Sequence, residues 1–182
     1  TRIVMDIERL KASVTTVSGY PRPGIEFRDI TSLLLHPEAL RECVLRMAAP
    51  YREQAIDKIV AIEARGFIFG AALAMELGCG LVLARKPGKL PRPTYKASYA
   101  LEYGEDSLHI HTDAIAPDER LLVVDDLIAT GGTVAAVASL IDKFGATLCG
   151  AAFAIALQDL PGLAMLRERG IATHYVLSFN GE

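Results

Sequence analysis

Apolar and polar positions alternate along this chain with two different periods. Ile3, Val4, Ile7, Leu10 and Val14 recur at helical spacing with charges between them, which predicts an amphipathic helix at the start. Residues 19–28 interrupt that period, because Pro21, Pro23 and Gly24 force a loop. His36-Pro37-Glu38 then marks a helix start with proline in the first turn, and Leu40, Val44 and Met47 supply its buried stripe. From Lys58 the period changes. Ile59-Val60-Ala61-Ile62 is a continuous apolar run of strand length, residues 71–77 are Ala-rich and helical, Gly78 closes that helix, and residues 81–84 form a second buried strand. A Pro- and Gly-containing basic loop over 85–93 comes next. Two alternating segments, 97–103 and 107–112, predict a hairpin turning at Gly104-Glu105-Asp106. Further strands are expected at 121–124, 148–157 and 173–179, with helices at 133–144 and 162–169 between them. Strands that alternate with helices predict an α/β fold, a mostly parallel sheet covered on both faces. No repeat or composition break divides residues 1–182, so one domain is expected.

Composition narrows the function classes. Hydrophobic residues make up 51% of the chain and charged residues 23%, which describes a cored globule and excludes a disordered or low-complexity chain. The most apolar stretches, 127–141 and 144–158, are bounded by Asp126, Asp142, Lys143 and Asp159, so no membrane span is expected. Thr1-Arg2-Ile3-Val4-Met5-Asp6 does not read as a signal peptide. With 19 Lys and Arg against 22 Asp and Glu, the formal charge of −3 argues against a nucleic-acid track, although a local basic cluster could still hold a phosphate. Cys43, Cys79 and Cys149 are odd in number and far apart, as expected of reduced residues in a cytoplasmic protein. His109 and His111 share a strand face but lack a Cys, Asp or Glu at ligand spacing, so no protein-held metal is expected.

The densest chemistry lies in Leu121-Leu122-Val123-Val124-Asp125-Asp126-Leu127-Ile128-Ala129-Thr130-Gly131-Gly132-Thr133. An apolar strand delivers two carboxylates to its end, where ligands bind in a parallel sheet, and a Thr-Gly-Gly-Thr loop then opens a helix. Paired glycines let the backbone approach a ligand. First-turn amides with the Thr130 and Thr133 hydroxyls make a phosphate cradle, and the upstream carboxylates suit sugar hydroxyls. Together they describe a holder for a ribose 5-phosphate. An ordinary strand-to-helix turn would explain the glycines but leave two acidic groups unpaired. The chain carries neither a Gly-x-x-x-x-Gly-Lys-Ser/Thr loop nor a Gly-x-Gly-x-x-Gly loop after a strand.

These residues resemble the phosphoribosyl pyrophosphate motif of the type I phosphoribosyltransferases. Four further segments extend the resemblance along nearly the whole chain and toward the family's adenine-specific branch: Pro23-Gly24-Ile25-Glu26-Phe27-Arg28-Asp29-Ile30, Glu63-Ala64-Arg65-Gly66-Phe67, Arg85-Lys86-Pro87-Gly88-Lys89-Leu90-Pro91 and Leu101-Glu102-Tyr103-Gly104. The resemblance implies a type I phosphoribosyltransferase-like fold, with a small hood from residues 1–35 and a flexible lid hairpin within 85–112. It also implies transfer of the phosphoribosyl group from phosphoribosyl pyrophosphate to a purine in purine salvage, by a homodimer. Adenine, giving AMP and pyrophosphate, is favoured because residues 148–157 contain no lysine to meet an oxopurine carbonyl. Xanthine or hypoxanthine/guanine as the base, and a non-catalytic sensor of phosphoribosyl pyrophosphate, are the alternatives.

By the same resemblance, Asp125 and Asp126 hold the ribose hydroxyls, and Ala129, Thr130, Gly131, Gly132 and Thr133 hold the 5-phosphate. Arg65 is similar to the family's pyrophosphate-loop arginine, and Glu63-Ala64-Arg65 is where a non-proline cis peptide is expected; a structural salt bridge would also account for Arg65. Arg85, Lys86 and Lys89, with Arg92, belong to a lid that meets the pyrophosphate, partly from a neighbouring subunit, or else to an ordinary solvated loop. Mg2+ arrives on the substrate's diphosphate. Glu102, beside Tyr103, is the candidate that moves a proton on the purine, although an exposed strand glutamate would look the same. Ile25, Phe27 and Arg28, with Leu127 and Leu157 opposite, are expected to line the base pocket, with Phe27 as the stacking face. Glu26 and Ala156 depart from the residues usual in the family.

Overall fold

The computed structural model describes residues 4–181. Helix α1 (Ile7–Ala12) is shorter than the apolar spacing predicts. Asp6 starts it by accepting the Arg9 N–H at 2.9 Å, and Leu10 and Val14 are buried. Val4 and Ile7, however, remain exposed, and Ile3 lies outside the described residues. Residues 19–28 are also more ordered than a proline-forced loop. Strands β1 (Thr15–Ser18) and β2 (Glu26–Asp29) pair antiparallel around that turn, Val17 opposite Phe27 and Thr16 opposite Arg28. Four-residue strands with mostly polar faces carry no apolar period, which is why the sequence does not announce them. With α2 (Thr31–Leu34) they form the hood, and α3 (Pro37–Ala48) comes after it, starting at Pro37 as expected.

The remaining elements run in the expected alternation. They are β3 (Lys58–Ile62), α4 (Gly66–Leu77), β4 (Gly80–Ala84), the hairpin β5 (Thr94–Ala100) and β6 (Glu105–His111), β7 (Arg120–Ile128), α5 (Gly132–Lys143), β8 (Thr147–Leu157), α6 (Gly162–Glu168) and β9 (Thr173–Phe179). α4 ends at Gly78, whose N–H donates to Ala74 O. The hairpin turns at residues 101–104 rather than at Gly104-Glu105-Asp106, because Ala100 pairs with Glu105 and Tyr99 with Asp106. Those two acids look like turn residues in sequence, yet Glu105 is exposed to water and Asp106 is held by Lys86 and the Ser107 N–H, so the ribbon accepts both.

Five strands make one parallel sheet in the order β4-β3-β7-β8-β9. Alternate strand residues feed two cores. Ile59, Ala61, Leu122 and Val124 pack with Cys43, Met47, Phe69 and Leu73 of α3 and α4, whereas Val60, Ile62, Leu121 and Val123 pack with α5 and with Leu108 and Ile110 of β6. The lid hairpin is therefore rooted in the core by β6. From β3 the chain steps outward to β4, then returns to the other side of β3 with β7 and proceeds away from it. Strand order thus reverses between β3 and β7, and such a reversal leaves a crevice outside the carboxyl ends of the strands.

Candidate active site

Both strands flanking the crevice run straight into helices there. β3 leaves through Glu63-Ala64-Arg65, whose Glu63–Ala64 peptide is cis, as expected from the sequence, and α4 begins at Gly66. β7 leaves through the two aspartates and the Ala129-Thr130-Gly131-Gly132-Thr133 loop, and α5 begins at Gly132. Gly131 has φ +82°, and no side chain caps α5, so the amides of its first turn remain free to meet an anion. The Gly162 N–H donates to Ala129 O at 2.9 Å, which ties the loop to α6. Two helix N-termini therefore converge on the crevice, each with a positive dipole end.

The charged residues there are coupled. Arg65 Nε donates to Asp126 Oδ2 at 2.5 Å; Asp126 is 6% exposed, while the arginine side chain stays half in solvent. That salt bridge spans the diphosphate and ribose candidates. Asp125 Oδ1 accepts the Asp126 N–H at 2.8 Å and lies against the start of α4, where a methyl group on Gly66 would sit 2.8 Å from it. Burial, with the Asp126 carboxylate next door, raises the Asp125 pKa well above the ordinary carboxylate value, and Arg65 only partly offsets this.

Glu63, which the sequence places only within a motif, holds the start of the lid. Its Oε1 accepts the Lys86 N–H at 2.6 Å and Arg85 Nε at 3.2 Å. Lys86 Nζ turns into the hairpin and donates to Tyr99 Oη and Asp106 Oδ2, while Lys89 lies exposed in the loop beyond. Tyr103, at the tip, is also exposed. Glu102 accepts from Arg22 Nη2 at 2.7 Å, and this hydrogen bond with the arginine's charge holds its carboxyl below the usual range.

Under the hood lies a cavity of about 350 Å³ lined by Val17, Tyr20, Phe27, Asp29, Ile30, Thr31 and Arg65. Phe27 is there as expected, and Tyr20 meets it edge-on with centroids 5.1 Å apart. Ile25, Arg28, Leu127 and Leu157 are not among the lining residues. The β1–β2 pairing explains Arg28, because Phe27 and Asp29 face the cavity and the intervening side chains face away. Arg28 donates to Thr16 Oγ1 at 2.7 Å and covers the Phe179 ring, and Glu26 accepts from Ser18 Oγ at 2.6 Å. That placement accounts for an acidic residue at position 26. Ala156 is fully buried in β8. Asp29 accepts the N–H and hydroxyl of Thr31, which, with the charge of Arg65, lowers its pKa against the opposing effect of burial. Val17 could have been found only from its register opposite Phe27, and Tyr20 only from its edge-on contact with that ring. A cleft of about 500 Å³ between Arg9 and Glu38 is larger, but none of these groups lines it.

Among the described residues, no group of three or more His, Cys, Asp and Glu stands together as a metal cage. No helix among them is long and apolar enough to cross a membrane. Comparison with known proteins matches residues 30–160 to the phosphoribosyl transferase domain. The adenine phosphoribosyltransferase of Aeromonas salmonicida is 52% identical over 95% of this chain and 96% of its own. Among solved structures, the adenine phosphoribosyltransferase of Thermoanaerobacter pseudethanolicus superposes with a TM-score of 0.91 at 40% identity, over 96% of this chain and 100% of that one. The Saccharomyces cerevisiae enzyme, complexed with an imino-altritol bisphosphate and adenine, gives 0.87 at 35% identity, over 94% and 98%.

Proposed function

The chain belongs to the phosphoribosyl transferase family, among the adenine phosphoribosyltransferases, and on that premise we propose which of its residues serve the reaction. That reaction joins adenine to the phosphoribosyl group of phosphoribosyl pyrophosphate, giving AMP and pyrophosphate in purine salvage. The observation that carries the assignment is one adjacency. Paired carboxylates above a free helix N-terminus stand beside Arg65, and Arg65 in turn lines an aromatic cavity.

In this reading the 5-phosphate sits on the first turn of α5, held by Ala129, Thr130, Gly131, Gly132 and Thr133, and Asp125 and Asp126 take the ribose hydroxyls. The diphosphate lies toward Arg65 and the N-terminus of α4, with Arg85, Lys86 and Lys89 approaching from the lid. Substrate binding exchanges partners: the diphosphate takes Arg65 from Asp126, and the ribose takes Asp126. Adenine enters the cavity against Phe27 and Tyr20. Its ring nitrogen then bonds to the anomeric carbon while the bond from that carbon to the diphosphate oxygen breaks, the electron pair leaving on oxygen. Positive charge builds on the sugar and negative charge on the leaving group, where fixed cations stabilise it. Glu102, kept ionised by Arg22, accepts the proton that the purine loses. Mg2+ travels on the diphosphate as part of the substrate and neutralises charge there.

A second copy of the chain fits against β4 and α4. Leu81 and Leu83 on the edge strand, with Ile68 and Met75 on the helix, are exposed apolar residues, and β4 leads directly into Arg85. A homodimer through this face brings the basic lid of one protomer toward the crevice of its partner. The place of action is the cytoplasm.

Incubation of the chain with phosphoribosyl pyrophosphate, Mg2+ and each purine in turn tests the reaction. Pyrophosphate release is expected to be fastest with adenine. Faster release with xanthine, hypoxanthine or guanine would assign another base, and none with any base would favour a non-catalytic sensor.

A further inference from the structure

The hood and the hairpin tip come from segments far apart in sequence, and a side-chain pair joins them. Arg22 lies in the proline-containing turn between β1 and β2, two residues after Tyr20, which lines the cavity. Glu102 lies in the turn of the lid hairpin, between the exposed Leu101 and Tyr103. The two meet at 2.7 Å, Arg22 Nη2 donating to Glu102 Oε2, and among the described residues Glu102 has no other side-chain partner.

We propose that Arg22 is a positioning residue for the transfer reaction: it draws the hairpin tip onto the hood and orients the Glu102 carboxylate over the base cavity. This inference rests on the adenine-transfer reading above. Arginine suits the task because its charge never titrates away, and its long side chain reaches the carboxylate through one Nη2–Oε2 contact. Both side chains are 59% exposed, so the pair adds little to folding and can open to admit the base. A glutamate on a short exposed turn samples many orientations when unpartnered, and the ion pair selects one of them. It does so from the same turn that carries Tyr20, so filling of the cavity and placement of Glu102 are mechanically linked. The family resemblance singles out Glu102 and not Arg22, since nothing in a proline-flanked arginine announces a partner eighty residues on.

Steady-state kinetics of Arg22→Gln, Arg22→Lys, Glu102→Gln and the double variant Arg22→Gln with Glu102→Gln test this, with thermal melting to confirm that each variant folds. Arg22→Gln is expected to raise KM for adenine and lower kcat so that kcat/KM falls by about two- to fivefold in all, the range an exposed ion pair supplies. KM for phosphoribosyl pyrophosphate should stay unchanged and Arg22→Lys should recover most of the loss. In the Glu102→Gln background, Arg22→Gln should add nothing. Wild-type kinetics for Arg22→Gln, or losses that multiply in the double variant, overturn the inference while leaving adenine transfer intact. A parent chain that releases no pyrophosphate with adenine overturns the underlying reading first, and is seen before any variant is made.

Discussion

Asp125 and Asp126 are neighbours in sequence but sit in different electrostatic surroundings. Asp126 is paired with Arg65, whereas Asp125 is tucked against the start of α4 with a second carboxylate beside it. Its folded-state pKa is therefore raised, which means that the folded chain holds a proton there more readily than the unfolded chain. Where the folded state binds more protons, stability falls as pH rises, here from the ordinary carboxylate pKa up to the raised one. Asp125→Asn removes that penalty. Thermal melts between pH 4 and pH 8 should show the variant gaining on the parent chain as pH rises, while its KM for phosphoribosyl pyrophosphate increases sharply. A variant whose melting temperature does not gain on the parent's as pH rises would contradict a raised Asp125 pKa. A destabilised carboxylate of this kind suits a group that receives sugar hydroxyls, because the ligand supplies the hydrogen bonds that the fold withholds.

At the scale of elements, the site depends on how closely α4 and β7 approach. A Cβ on Gly66 would lie 2.8 Å from Asp125 Oδ1 and 3.1 Å from Val124 O, so the first turn of α4 tolerates no side chain there. Gly66→Ala has to push the helix off the strand, at about 1–3 kcal/mol of stability. The same shift moves Arg65, one residue earlier, relative to both aspartates. Lower unfolding free energy in denaturant together with weaker phosphoribosyl pyrophosphate binding is the expected result, and a variant weakened in only one of the two would separate packing from binding. The lid is likewise an element with two parts. Leu108 and Ile110 of β6 are fully buried beside α5, and Glu63 ties down Arg85 and the Lys86 backbone, which anchors the segment at both places.

For the whole molecule, the apolar face of β4 and α4 is the surface that pairing of two copies would cover. Met75 is 86% exposed, far more than a methionine on a covered helix face. If two copies pair through this face, Met75→Glu combined with Leu83→Glu is expected to leave a monomer by light scattering and to weaken pyrophosphate binding, since Arg85 comes directly after the strand. Retention of the dimer would place the interface elsewhere. Much of this architecture is legible in the sequence because buried parallel strands are continuous apolar runs, and the residues just after each run stand at the carboxyl edge of the sheet. The run 121–124 thus identifies Asp125, Asp126 and the Thr-Gly-Gly-Thr loop, the family resemblance adds Arg65 after the run 59–62, and the structure brings them to one crevice. The hood is not legible, because β1 and β2 are too short and too polar to show a period. Only their pairing decides that Phe27 faces the cavity while the Arg28 side chain turns to Phe179. Sequence by itself determined the types of group that reach the edge of the sheet, since local hydrophobic period and loop chemistry are properties of adjacent residues. Tertiary structure alone decided their partners, Arg65 with Asp126 and Arg22 with Glu102, because long-range contacts are set by strand order and register, which no local pattern encodes.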